Sequence, residues 1–437
     1  MNDPSPHSAR HPNNRQDTTE YEETVPLASA SEISRTMSRD SGSKIHGVGE
    51  HPRRVYWSFW LLGAVILLSW NAATAVTAFP LLPAVFPILP AIPYFFALTG
   101  LTLVFSYATS YLQSSVLAVA ALWGPKEMLA VMSGQGGIAV LISAVQVYIA
   151  AMGVFTSDDS EPKDPSDGSP TTAELAAGMG LWMAAIVPTA ICILTTRRLF
   201  PRDASSGHHR PNLSFEQTPD DGEFYDTERR FSAEEDEDSR RGSTNGFNRS
   251  WAIMKRNKVI NFSVAYVFIV TLAVFPSITT SIISVRQPPP KYLEPGLFIP
   301  LHFLMFNVSD YLGRTYLPTI PWLFLQEAKH VMFASLARTL FIPIFIMCNT
   351  VFISTSVTRH IPFINSDVLY FAILFLFGAT NGWISSLSMI IASSPSLNPA
   401  IEEDEKDVAG SLAGFCLTGG LVLGSLASFI IGWIVKR

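Results

Sequence analysis

Within HFLMFNVSDYLGRTYLP, residues 302–318, the polar residues Asn307, Asp310 and Arg314 interrupt a run of Phe, Leu, Met, Val and Tyr. Their i, i+3, i+7 spacing puts all three on one face of a helix. A charged side chain at the centre of a membrane helix costs roughly 2.5–3.5 kcal/mol even on mild insertion scales, so this face must turn toward protein or water. Two readings follow. Asp310 and Arg314, four residues apart, pair with each other and lock the helix to its neighbours; or the three groups line a polar site in a central cavity, the usual meaning of charge inside a membrane. Polar residues also recur in other apolar segments: Trp70 and Asn71, Gln113, Ser133 and Gln135, and Asn381. A single such amide serves helix packing. Several, joined by an Asp and an Arg, favour a lined cavity.

The elements that must position these groups are membrane helices. Hydrophobic residues make up 48% of the chain and charged residues only 15%, against about a quarter charged in soluble domains. About nine windows are long and apolar enough to cross a hydrocarbon core of about 30 Å. They lie near 55–79, 92–122, 128–153, 174–196, 259–285, 296–318, 331–353, 366–391 and 408–435. Residues 1–52, rich in Ser, Asn, Arg, Pro and acidic side chains, read as a disordered tail without a signal peptide. Residues 198–256, containing RRFSAEEDEDSRRGS, read as a disordered central loop. The loop divides the chain into a first helix bundle, 53–197, and a second, 257–437. The expected fold class is therefore all-α and polytopic.

Lys and Arg near span ends set the orientation. Arg53 and Arg54 precede the first span, Lys126 lies between the second and third, and Arg197, Arg198, Lys255, Arg256 and Lys258 flank the central loop. The N-terminus and the central loop are expected on the cytoplasmic side. The repeats RRFS and RRGS in that loop make Ser232 and Ser243 candidate sites for a basic-directed kinase.

Several function classes find no support. The sequence carries no metal-ligand spacing of His, Cys and carboxylates, no Gly-rich phosphate loop followed by Lys and no nucleophile elbow. Cys192, Cys348 and Cys416 all fall within predicted spans, where they read as small packing residues. An enzyme is not expected, nor are a cofactor or a nucleic-acid partner.

FNVSDYLGR resembles the signature span of the equilibrative nucleoside transporters: Asn, two residues, Asp, two residues, Gly-Arg. SWNAATA at 69–75, MSGQGGIAVLISAVQ at 132–146, AVFPSITTSI at 273–282, SLARTLFIPIFIMCN at 335–349 and GATNGWISSLSM at 378–389 are similar, in the same order, to further family elements. The resemblance implies facilitative transport of nucleosides, and of nucleobases in some members, by alternating access of two bundles with a major-facilitator-like architecture. It implies that Asp310 and Arg314 hold the sugar hydroxyls, with Asn307 supporting them. A carboxylate accepts from two vicinal hydroxyls, and a guanidinium donates in a fixed fork. It also implies that Gln113 hydrogen-bonds the base and that Trp70 walls the site. The same residues leave open a proton-coupled carrier in which Asp310 titrates, and a degenerate membrane protein that transports nothing.

Two departures stand out. Ser69 replaces the family's Pro before Trp-Asn. By motif order, family spans two and three are absent, and PLLPAVFPILP at 80–90 joins the flanking spans. The first bundle is thus expected to be truncated and the chain to be an incomplete product. Similarity to fungal relatives with long acidic loops points to a vacuolar or other intracellular membrane.

Overall fold

The structure, a computed structural model, describes residues 52–78, 91–156, 194, 246–286, 288–349 and 362–435. Its elements are helices: α1 (Pro52–Ala78), α2 (Ala91–Trp123), α3 (Pro125–Thr156), α4 (Lys258–Val274), α5 (Pro295–Thr315), α6 (Ala328–Ala337), α7 (Phe341–Ile346), α8 (Asp367–Ser393) and α9 (Lys406–Val435). A single 3-10 turn, Arg338–Leu340, links α6 and α7 into one segment. Among the described residues six segments are long and apolar enough to cross a membrane, and these include Pro125–Met152, Asp367–Ser393 and Glu403–Trp433. The helix α5, which carries the charged pair, falls outside that set, as does α1.

Local chemistry sets the ends. Glu294 precedes α5, and Pro295, lacking an N–H, occupies the first turn, where no intrahelical partner exists for that group. Ser366 caps α8 by accepting a hydrogen bond from the Leu369 N–H at 3.3 Å. Before α9, the Glu402 and Glu405 side chains form a reciprocal capping box. Between α2 and α3, Gly124 takes a φ of 128°, a conformation costly for any side chain with a Cβ.

Two expectations from the sequence need correction. The span placed at 259–285 is helical only to Val274, where the following Phe-Pro pair ends the regular hydrogen bonding, and the chain continues as a turn and a short 3-10 segment. Residues 246–256, read as the end of a disordered loop, are helical. Ile253 of this helix is fully buried against Ile401 and Ala409. Arg249 reaches the Asp404 carboxylate at 2.6 Å, and Arg256 pairs with Glu405. Its partners lie about 150 positions away, so no local period of apolar residues announces it. The predicted span at 174–196, apart from residue 194, lies outside the described residues, as do the 1–51 tail, the proline joint at 79–90, Ser232 and Ser243.

The packing forms two sets. Helices α1, α2 and α3 contact one another, and α4 to α9 do likewise, with α8 along α5 and α9 along α4. The sets meet where α3 lies against α5 and α2 against α9. Gly410 and Gly414 of α9 seat Leu117 and Ala121 of α2, while Gly420 and Gly424 take the backbone of α4. Small residues at such crossings let helix backbones approach closely. The outward faces of α2 and α9 carry exposed Leu103, Tyr107, Tyr111, Val422, Leu426 and Phe429, as lipid contact requires.

Candidate functional site

The crossing of α5 and α8 builds the site. Gly313 of α5 lies against the Ala379 carbonyl, and Gly382 of α8 lies against the Asp310 carbonyl oxygen, so close that a Cβ on either would overlap the facing backbone. Gly313 therefore admits a neighbouring helix. This approach brings Asn381 of α8 to Asp310 of α5, and the Asn381 Nδ2 donates to Asp310 Oδ1 at 2.6 Å. The other carboxylate oxygen, Oδ2, accepts from Arg314 Nε, also at 2.6 Å. Asp310 is 4% exposed and Arg314 7%.

The ion pair anticipated from the i, i+4 spacing thus forms, and it also borders a cavity. The cavity, of about 470 Å³, is lined by Asn307, Asp310 and Arg314 of α5, by Gln113 of α2, by Gln135, Ser143 and Gln146 of α3, and by Asn381 of α8. Ile66 and Leu67 of α1, Phe268 of α4 and Phe303 and Phe306 of α5 supply apolar wall. This mixture of apolar surface and a few convergent polar groups is that of a small-molecule site. Arg314 Nη1 has no hydrogen-bond partner among the described residues. That leaves a charged donor next to the cavity.

Four of the five residues proposed from the sequence therefore border one space: Asn307, Asp310, Arg314 and Gln113. Trp70 falls within α1, but its side chain lies outside the described residues. Asn307 does more than support its neighbours along α5. Its Nδ2 donates to Ser143 Oγ of α3, which ties the two helix sets together at the cavity wall.

Sequence reasoning missed Arg338. Its side chain is 1% exposed and stands behind the Asp310–Asn381 contact, hydrogen-bonded to Thr271 of α4 and to α8. The signal was available, since Arg338 is a cation in the apolar stretch SLARTLFIPIFIMCN and obeys the same rule as Arg314. Ser143 and Thr271 carried no comparable signal, because serine and threonine are common in membrane helices and return their hydroxyls to their own backbone, as both do here.

The family model for nucleoside transporters matches residues 99–433. The chain is similar to equilibrative nucleoside transporter 1 of Homo sapiens, 28% identical over 352 residues that cover 79% of this chain and 71% of the human protein. It is 31% identical to the mouse protein of the same name over 188 residues, 42% of this chain and 38% of the relative. It is 30% identical to nucleoside transporter FUN26 of Saccharomyces cerevisiae over 183 residues, 41% of this chain and 33% of the yeast protein. The mouse and yeast matches thus span well under two thirds of those proteins.

Proposed function

Since this chain belongs to the nucleoside transporter family, we propose that it carries nucleosides down their gradient across a membrane, binding them in the cavity bordered by Asp310 and Arg314. The observation that carries this reading is the buried carboxylate–guanidinium pair at the edge of a cavity of about 470 Å³ lined by five helix-borne amides, Gln113, Gln135, Gln146, Asn307 and Asn381. A carboxylate accepts from two vicinal sugar hydroxyls, and a guanidinium donates to them. Gln113, on the same cavity, has both a donor and an acceptor for one edge of a base. Trp70 completes the wall in this proposal.

Transport would proceed by alternating access of two bundles, residues 53–197 and 257–437, with the first two helices short of its relatives. In that scheme the α2–α9 contact at Gly410 and Gly414 and the Asn307–Ser143 hydrogen bond are the interactions that must break when the cavity changes sides. The N-terminus and central loop face the cytoplasm, and the membrane is vacuolar or another internal one. Uptake of labelled nucleoside into proteoliposomes of the purified chain tests the function. Saturable uptake that ends at equal concentrations inside and out, and is unchanged by a protonophore, is the expected result. Accumulation against the gradient that collapses with the protonophore identifies a proton-coupled carrier instead.

Recognition of the sugar has its own readout. An analogue lacking both vicinal hydroxyls leaves unfilled the hydrogen-bonding positions of Asp310 and Arg314 that their own pair does not use, at about 1–3 kcal/mol each. It is expected to compete at least tenfold less well than the parent ribonucleoside; equal competition would indicate recognition through the base alone.

A kinase partner is a separate proposal. Ser232 and Ser243 follow paired arginines, and each phosphate would add nearly two negative charges to the cytoplasmic loop. Phosphopeptide mapping of protein from its native cells is expected to find at least one of them modified, and uniformly unmodified serines would rule the partner out.

A further inference from the structure

The site contains a second guanidinium that the transport reading leaves unused. Arg338 Nη1 donates to the Phe377 carbonyl at 2.9 Å and to Thr380 Oγ1 at 2.6 Å. Its Nη2 donates to Thr271 Oγ1 at 2.8 Å and lies 3.5 Å from Asn381 Oδ1, while the guanidinium carbon stands 4.6 Å over the Phe377 ring. Among the described residues no carboxylate touches it directly. Its hydrogen-bond partners are all neutral and its Nε has none among the described residues, and burying a cation so costs free energy that packing alone does not repay.

What Arg338 does meet is one amide, from the side opposite Asp310. Thr271 Oγ1 shares its single proton between Asn381 Oδ1 at 2.6 Å and the Val267 carbonyl at 2.7 Å, and Asn381 Oδ1 also faces Arg338, while Asn381 Nδ2 donates to Asp310 at 2.6 Å. Turning the amide over would set its NH2 group against the guanidinium, donor to donor. It would also set its oxygen against the Asp310 carboxylate, acceptor to acceptor. Arg338 and Asp310 thus favour the same orientation from the two ends of the amide. Both oxygens of Asp310 are then held, Oδ2 by Arg314 directly and Oδ1 by Arg338 at one remove.

We propose that Arg338 is a positioning residue for substrate recognition: acting through Asn381 and Thr271, it holds the Asp310 carboxylate in the orientation that accepts vicinal hydroxyls. The proposal rests on the nucleoside reading of the same cavity. It makes discrimination between hydroxylated and deoxygenated sugars a property of a residue that does not line the cavity.

Equilibrium binding of a ribonucleoside and of its 2′,3′-dideoxy analogue to the purified full-length chain tests it, with Arg338→Met, Asn381→Ala and the double variant beside the wild type. Arg338→Met is expected to weaken ribonucleoside binding about tenfold, the scale of one misplaced hydrogen bond, and to leave the analogue nearly unaffected, so that their ratio collapses. The double variant should bind no more weakly than Asn381→Ala alone, because the two act in series. Equal loss for both ligands, or additive losses in the double variant, overturns the proposal and leaves Arg338 a packing residue. Should Arg338→Met fail to give monodisperse protein, Thr271→Val reads the same link; an unchanged ratio there also overturns it. A wild type that binds neither ligand overturns the nucleoside reading, and this proposal with it. A wild type that binds both, with an unchanged ratio in the variants, overturns only the role of Arg338.

Discussion

Asp310→Ala is expected to abolish nucleoside uptake while the protein still inserts in the membrane. The substitution removes the acceptor of Arg314 Nε and of Asn381 Nδ2 together, and leaves a guanidinium 7% exposed with no counter-charge. Breaking a buried pair from one side costs about 3–5 kcal/mol of stability, and the same substitution removes the carboxylate that accepts the sugar hydroxyls. Arg314→Ala should fail likewise, leaving Asp310 held only by Asn381. The pair's two roles separate in the swapped variant Asp310→Arg/Arg314→Asp, which keeps opposite charges four residues apart on α5. Its melting temperature is expected to recover toward wild type while uptake stays absent, because acceptor and donor have exchanged places relative to the substrate. Uptake restored by the swap would reduce the pair to a lock between helices.

The second large effect is steric. A Cβ on Gly382 would overlap the Asp310 carbonyl oxygen and lie 2.7 Å from the Arg314 backbone nitrogen, so Gly382→Ala must drive α8 away from α5. Neither clashing atom belongs to a flexible side chain. Overpacking costs about 1–3 kcal/mol when side chains can adjust, and here only a helix shift relieves it. That shift separates Asn381 from Asp310. Gly382→Ala is therefore expected to lower the melting temperature and to remove uptake, whereas Gly419→Ala on α9, where a Cβ meets nothing within 4 Å, should be neutral or slightly stabilising through helix propensity. A Gly382→Ala protein with wild-type stability and uptake would mean that α5 and α8 do not cross this closely.

The α5–α8 contact also marks the limit of what could be read along the chain. Composition and runs of apolar residues determined that the protein is helical and spans a membrane, because in hydrocarbon each backbone group must find its partner within its own helix. Spacing alone placed Asn307, Asp310 and Arg314 on one face and required that face to avoid lipid. Both properties are local, since one helical period is 3.6 residues. Which side chains complete the site is not local. Asn381 reaches Asp310 across 71 positions, and Asn307 reaches Ser143 across 164. Those meetings depend on where glycine lets two backbones touch, and a glycine reads the same in sequence whether a Cβ there would meet open space, as at Gly419, or a facing helix, as at Gly382. Arg338, a cation in an apolar stretch, went unremarked in the sequence, and nothing there could have said what it holds. Only the packing of α4, the α6–α7 turn and α8 around it decided that its hydrogen bonds end on Thr271 and α8, beside the Asn381 amide that orients Asp310.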